Sequence, residues 1–239
     1  MIKVNRIYNE DCFTTMMSIP DENINCIVTS PPYNLGGDFH TFVDGKRVTY
    51  GDYKGFKDKI PEDEYKKSQL ELLNECYRIV KDDGWMFYNH KNRIIKGTTS
   101  SPLEWILQSK WNLSQIIVLD FGATANVDKR RFFPVHELIF VLNKDIKQKL
   151  HNEDCLTDVW KMKKVPRKIS GHPATFDIEL PLRCIKASTQ ENDIVYDPYS
   201  GTGTTLLAAK QLKRQYIGSE ISDDYYQLSA KRVLKLESK

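Results

Sequence analysis

Two short stretches of this chain carry residue types whose spacing could do chemistry. The first is Thr29-Ser30-Pro31-Pro32-Tyr33-Asn34, which directly follows the apolar run Cys26-Ile27-Val28. Such a run reads as a buried strand. Two prolines must stop it, because proline supplies no N–H to a ladder and fixes φ. The result is a stiff, extended loop at the carboxyl end of a strand, the edge at which open α/β sheets bind ligands. The loop presents a hydroxyl (Ser30), a carbonyl that cannot relax far (Pro31, with Pro32 behind it) and an aromatic ring (Tyr33). Two oxygens and a ring suit a flat heterocycle with an exocyclic amine: the oxygens accept both N–H groups while the ring stacks. A plain Pro-Pro turn, with Tyr33 as packing, accounts for the same residues.

The second stretch runs Asp193-Ile194-Val195-Tyr196-Asp197-Pro198-Tyr199-Ser200-Gly201-Thr202-Gly203-Thr204-Thr205. It reads as a strand ending at Asp197, a glycine turn, and an apolar helix beginning near Leu206. Glycines in that turn let a ligand approach the backbone and expose helix N–H groups. Gly201-x-Gly203 lacks the third glycine of the dinucleotide pattern, and no Gly-Lys-Ser/Thr follows, which excludes a phosphate-binding P-loop. Gln215–Glu220 is the next strand, with a carboxylate at its tip. An acid about 20 positions beyond such a turn can take two ribose hydroxyls. Acidic capping of the helix opened by Ser222-Asp223-Asp224 is the other reading of Glu220. Helix capping is likewise the other reading of Asp11, after the first strand.

The elements that must position these stretches follow from periodicity. Strands are expected at 4–9, 24–29, 85–88, 116–119 and 137–142. Leu70, Leu73, Tyr77 and Val80, at 3-4-3 spacing, predict a helix over 62–80 that ends at Asp82-Asp83-Gly84. A second helix is expected at about 101–110. Alternation of strands and helices predicts an α/β fold, a doubly wound and mostly parallel sheet with helices on both faces and an antiparallel edge hairpin at 114–142.

At 239 residues the chain is read as a single domain, 1–239, carrying two basic insertions. Residues 35–60 read as a long loop in which Lys46, Arg47 and Lys54 alternate with aromatics; residues 145–171 contain Lys163, Lys164, Arg167 and Lys168. With Lys129, Arg130 and Arg131 these suit phosphates and unstacked bases, although solvated basic loops have the same composition. A net charge of +3 adds little. The apolar and charged fractions, 40% and 28%, are those of a soluble globular protein. There is no apolar run of membrane-spanning length and no signal-peptide core after Met1. Five dispersed cysteines without Cys-x-x-Cys predict a reduced, cytoplasmic protein with no metal site; His151, Cys155 and His172 read as loop residues.

With both stretches in view the sequence resembles the amino-group DNA methyltransferases that depend on S-adenosylmethionine. Ser30-Pro31-Pro32-Tyr33 looks like their catalytic loop and Asp197-Pro-Tyr-Ser-Gly-Thr-Gly-Thr like their cofactor loop. His172-Pro173-Ala174-Thr175-Phe176 is similar to the segment closing over the cofactor. Catalytic loop before cofactor loop is the order of the permuted β group. The resemblance implies a Rossmann-like methyltransferase fold and cofactor contacts from Asp11, Cys12, His172, Thr175, Phe176, Asp197, Tyr199, Gly201, Gly203, Thr204, Thr205 and Glu220. It further implies double-stranded DNA as partner, a flipped-out target base stacked on Tyr33, a homodimer, and a restriction endonuclease in the same system. Ser at position 30 resembles the N4-cytosine enzymes, with adenine N6 the alternative; a hydroxyl there could also donate to cytosine N3. Outside the class, a nicotinamide-dependent oxidoreductase would share the glycine turn and Glu220, and a non-catalytic DNA-binding module would share the basic loops. One departure from the family is the short 145–171 segment, where a target-recognition region is expected.

Overall fold

Strands that are apolar on successive residues need cover on both faces and therefore lie inside a sheet rather than at its rim. The computed structural model describes residues 2–35, 59–122, 128, 130–151, 157–163 and 176–234, and the strand backbones within 39–57. In chain order the elements are β1 (Arg6–Tyr8), α1 (Cys12–Met17), β2 (Ile24–Thr29), β3 (Phe39–Val43), β4 (Lys46–Tyr50), β5 (Asp52–Tyr53), β6 (Phe56–Lys57) and α2 (Glu62–Ile79). They continue with β7 (Val80–His90), β8 (Arg93–Ile95), β9 (Thr98–Ser100), α3 (Leu103–Ile106), β10 (Asn112–Asp120), β11 (His136–Asn143) and β12 (Val159–Lys161). The last are α4 (Glu179–Ser188), β13 (Ile194–Asp197), α5 (Thr204–Gln211), β14 (Gln215–Ser219) and α6 (Asp223–Leu234).

One eight-stranded sheet runs β1-β14-β13-β2-β7-β11-β10-β12. The first five strands are mutually parallel, β11 is antiparallel to both its neighbours, and β12 lies parallel to β10. The doubly wound, mostly parallel sheet with an antiparallel hairpin is thus present, the hairpin pairing Asn112 with Asn143 through to Asp120 with His136. Each face carries its own core. Helices α1, α2 and α3 cover one, with Met16, Leu72, Leu73, Ile79, Trp105 and Tyr196 among the buried residues. Helices α4 and α5 cover the other, with Val28, Phe87, Cys184, Leu206 and Ala209. No helix among the described residues is long and apolar enough to cross a membrane, and no cluster of acids, His and Cys among them could hold a metal ion.

Four local expectations differ from the structure. Asp82-Asp83-Gly84 is not a turn after the helix: α2 ends at Ile79 and the chain enters β7 at once. While β2 advances from Ile24 to Cys26, β7 advances from Val80 to Trp85, so the extra residues are absorbed as an irregularity in the ladder. Gly84 is required there, since a Cβ would sit 2.9 Å from the Asn25 carbonyl oxygen. The helix expected over 101–110 shrinks to α3, because the chain turns to bury Trp111, whose indole N–H donates to Leu73 O at 2.7 Å.

Within the segment read as a loop, β3 pairs antiparallel with β4, Phe39 opposite Tyr50 through to Val43 opposite Lys46. Asp44-Gly45 between two runs rich in β-branched and aromatic residues is a hairpin signal that the reading of 35–60 as a loop passed over. Segment 145–171 is also more than an insertion. It supplies β12, whose Trp160 is buried against the sheet.

Candidate active site

The parallel strands all deliver their carboxyl ends to one edge of the sheet, so Tyr8, Ser219, Asp197, Thr29 and His90 are the last strand residues before the loops that could bind a ligand. The two chemical stretches, far apart in sequence, are joined there directly. Thr29 Oγ1 donates to Asp197 Oδ1 at 2.8 Å, and the Tyr199 N–H donates to the same oxygen at 3.1 Å. Asp197 is 1% exposed. Burial pushes its carboxyl up to about 6, against the opposing hydrogen bonds from Thr205, Thr29 and the Tyr199 backbone.

That shift has a measurable consequence. A carboxyl raised in the folded state contributes stability that is fully present below its unfolded pKa and is lost as pH rises through the folded value. For Asp197 the window is about pH 4 to 6, and a shift of about two units is worth about 3 kcal/mol. Urea melts of the ligand-free protein and of Asp197→Asn between pH 4 and 7 should therefore diverge, the parent losing up to that amount relative to the variant as pH rises. Glu220, also raised by burial, contributes with the same sign in both proteins. Parallel pH curves for the variant and the parent would refute the assignment.

The glycine turn is shaped for close approach. Gly201 and Gly203 both have positive φ, 51° and 77°, and a Cβ at Gly203 would stand 2.3 Å from Ser229 Oγ. Gly203 is the N-cap of α5, so no side chain covers the first N–H groups of that helix. The half-buried Arg232 guanidinium donates to Thr202 O at 2.5 Å and Thr202 Oγ1 at 2.6 Å, bracing the turn from behind. Glu220 closes it from the front. Its carboxylate accepts from the Gly201 N–H and the Ser222 N–H, each at 2.8 Å. A carboxylate has about four acceptor positions, so two remain for a ligand's hydroxyls.

Of the other predicted cofactor residues, Asp11 caps α1 by accepting from the Phe13 N–H at 2.9 Å. Cys12 is buried, and burial, with Asp11 alongside, pushes its thiol up to about 12. Thr204 and Thr205 are buried, and Thr205 Oγ1 donates to Val28 O at 3.3 Å. Tyr199 and Phe176 are partly buried, on opposite faces of the sheet. His172 and Thr175 lie outside the described residues.

On the Ser30 loop the ring of Tyr33 packs against His90, with centroids 4.4 Å apart, and beneath Lys91 Nζ. The Tyr33 hydroxyl lies 2.9 Å from Ser30 Oγ and reaches Asn89 Oδ1 at 3.0 Å and Glu137 Oε2 at 3.2 Å. A second chain fixes the prolines. Tyr65 O–H donates to Pro32 O at 2.8 Å, which leaves its oxygen to accept from His90 Nε2 at 2.7 Å, while His90 Nδ1 lies against the Lys91 backbone, 2.8 Å from N and 2.9 Å from O. Burial lowers His90 to about 3, so the ring is neutral at ordinary pH. Asn34, at φ 54°, donates to Ile60 O at 3.0 Å and accepts from Ile60 N–H at 2.8 Å, tying together the two ends of the 35–59 segment.

Sequence reasoning gave no role to Asn34, Tyr65, Asn89, His90 or Glu137. The one local signal was Asn34, since Asn tolerates the left-handed region. Glu137 only opens an apolar strand in the sequence; its approach to Tyr33 depends on sheet register.

The basic residues are less concentrated. Arg130 and Arg131, on the turn between β10 and β11, both pair with Asp128, while Phe132 beside them is fully exposed. Lys163 is exposed just beyond β12. The side chains of Lys46 and Arg47, on β4, and residues Lys54, Lys129, Lys164, Arg167 and Lys168 lie outside the described residues.

Comparison with known proteins agrees with this architecture. Residues 24–231 match the N6/N4 DNA methylase family model. The chain belongs to that DNA methylase family. It is 28% identical over 264 residues to the type II methyltransferase M.BglII of Bacillus subtilis, covering 95% of this chain and 68% of that protein. It superposes on the cytosine-N4-specific PvuII DNA methyltransferase with a TM-score of 0.75 at 20% identity, covering 97% and 87% of the two chains. The M1.HpyAVI–SAM complex gives 0.63 at 22% identity, covering 95% and 98%.

Proposed function

We propose that this protein transfers a methyl group from S-adenosylmethionine to the exocyclic N4 amine of a cytosine flipped out of double-stranded DNA. The observation carrying the reading is the Thr29–Asp197 hydrogen bond, which fixes an amine-holding loop against a turn suited to a nucleoside cofactor. That turn fits the cofactor: glycines without Cβ atoms, an uncovered helix N-terminus and Glu220 with acceptor positions to spare. In this reading Glu220 holds the ribose hydroxyls, and Asp197, Gly201, Gly203 and Thr204 line the methionine and ribose side. When bound, the cofactor supplies a methyl group already activated by its sulfonium.

The chain's own work is therefore positioning. An exocyclic base amine is a poor nucleophile because its lone pair is delocalised into the ring. Ser30 Oγ and Pro31 O each accept one N–H, which favours a pyramidal nitrogen with its lone pair aimed at the methyl group. A base cannot be reached inside a duplex, so it is extruded and stacks beside Tyr33. Arg130, Arg131, Lys163 and the exposed Phe132 stand on loops at the same sheet edge and face the DNA. A DNA substrate places the protein in the cytoplasm. A homodimer and a cognate restriction endonuclease remain part of this reading through the family resemblance.

Serine at position 30 supports cytosine. The family model spans both N6 and N4 enzymes, which keeps adenine N6 as the second reading. Nucleoside digestion and mass spectrometry of DNA methylated by the protein decide between them: N4-methylcytosine is expected, and N6-methyladenine as sole product overturns the base assignment alone. Cofactor binding gives a separate check. Glu220→Ala should weaken S-adenosylmethionine binding by about 1.5–3 kcal/mol, the range for hydrogen bonds to a charged group. Unchanged affinity by calorimetry would remove Glu220 from the site.

A further inference from the structure

We propose that Glu137 and Asn89, acting through Tyr33, fix the Ser30 hydroxyl as a hydrogen-bond acceptor, so that the site admits a base carrying an amine and rejects its carbonyl counterpart. The inference rests on the amino-methyltransferase reading and adds to it the groups that set the site's polarity.

The Tyr33 hydroxyl has one proton, and its neighbours among the described residues include Ser30 Oγ at 2.9 Å, Asn89 Oδ1 at 3.0 Å and Glu137 Oε2 at 3.2 Å. Asn89 cannot present its amino group instead. Its Nδ2 donates to Leu138 O at 3.0 Å, and rotating the amide would set two oxygens against each other. An ionised Glu137 carboxylate accepts only. Two acceptors therefore claim the single Tyr33 proton and draw it away from Ser30.

The remaining arrangement at 2.9 Å is Ser30 O–H donating to the Tyr33 oxygen. Ser30 has then spent its only proton and faces the ligand with lone pairs. This also removes the donation to cytosine N3 that the sequence alone allowed. An amine satisfies Ser30 Oγ and Pro31 O together. A carbonyl in its place meets two acceptors, and a site built to pair a polar group discriminates strongly against a ligand that leaves its groups unpaired.

Rigid elements set the chain. Asn89 is the penultimate residue of β7 and Glu137 the second of β11, with Asn89 paired to Ile139 and His90 to Leu138 in the ladder, so neither side chain depends on a loop for its place. Glu137 and Asn89 are positioning residues; Ser30 is the catalytic one.

Glu137→Gln keeps the shape and replaces an acceptor-only group by an amide that can donate to Tyr33. On duplex substrate, kcat should fall at least about tenfold, with affinity for S-adenosylmethionine unchanged. The second readout is selectivity. Wild-type protein should bind duplex with an intact target base more tightly than duplex carrying the deaminated base, which is uracil for cytosine or hypoxanthine for adenine. Glu137→Gln and Tyr33→Phe should each shrink that ratio, and the double variant should be no worse than the poorer single, because both act through one chain. If the singles multiply, or if Glu137→Gln leaves both kcat and the ratio at wild-type values, the relay is wrong and the function stands. If wild-type protein methylates no DNA, function and relay fall together.

Discussion

Ser30→Ala is expected to lower turnover about a hundredfold while leaving S-adenosylmethionine affinity essentially unchanged. The cofactor turn and Glu220 are held by hydrogen bonds among Gly201, Ser222, Thr202 and Arg232, a set that does not include Ser30. Removing the hydroxyl takes away one of two acceptors for the target amine. The interaction matters most as nitrogen becomes pyramidal, so the loss falls on kcat rather than on ground-state binding. Single-turnover methylation with cofactor in excess measures the step. A variant that transfers methyl at the wild-type rate, or one that loses cofactor binding in parallel, would falsify the assignment.

The largest stability effect is expected away from the chemistry, at Glu62. The Arg93 side chain is fully buried, and its guanidinium donates to both Glu62 oxygens, at 2.9 and 2.6 Å, while lying over the Tyr65 ring at 4.5 Å. Burial pushes the Glu62 carboxyl up, but the Arg93 hydrogen bonds and charge outweigh it and hold it below its ordinary value. Glu62→Ala leaves a buried cation with no carboxylate, a loss of roughly 3 kcal/mol. For a chain of this size that is roughly a 6–12 °C fall in Tm. Glu62→Gln, which keeps one acceptor, should lose less.

The sign with pH follows from the lowered value. Stability from this pair is present above the unfolded glutamate pKa and is lost as pH falls through the lower folded one. Because Tyr65 also holds the Pro32 carbonyl, turnover should fall with stability in Glu62→Ala. Urea denaturation showing less than about 1 kcal/mol of loss would mean that Arg93 finds water or another partner.

Much of this protein was legible in its sequence because the signals were local. A strand stopped by Pro31-Pro32, a glycine turn between strand and helix, and Glu220 at the tip of the next strand are each set by neighbours within a few residues. Parallel topology follows, since consecutive strands joined by helices have one common edge. The helix over 62–80 was visible for the same reason, since helical period is a property of the segment. The face it buries, however, is Tyr65, Gln69, Leu72, Leu73, Cys76 and Ile79, and of the expected Leu70–Leu73–Tyr77–Val80 stripe only Leu73 is a buried residue of α2.

What tertiary structure alone decided depends on register between strands distant in the chain. Asp82-Asp83-Gly84 has the composition of a turn, yet pairing with β2 draws it into β7, and only Gly84 fits against Asn25. Trp160 sits in a stretch without period, so β12 became visible only once β10 offered an open edge. The acceptors around Tyr33 come from β7 and β11, and a one-residue slip of β11 against β7 would put Glu137 on the opposite face from Asn89. The sequence by itself determined which loops carry Ser30 and Glu220, because proline and glycine act on their own backbone. The proton arrangement at Ser30 was left to the sheet, because hydrogen-bond polarity belongs to the set of partners and not to the residue.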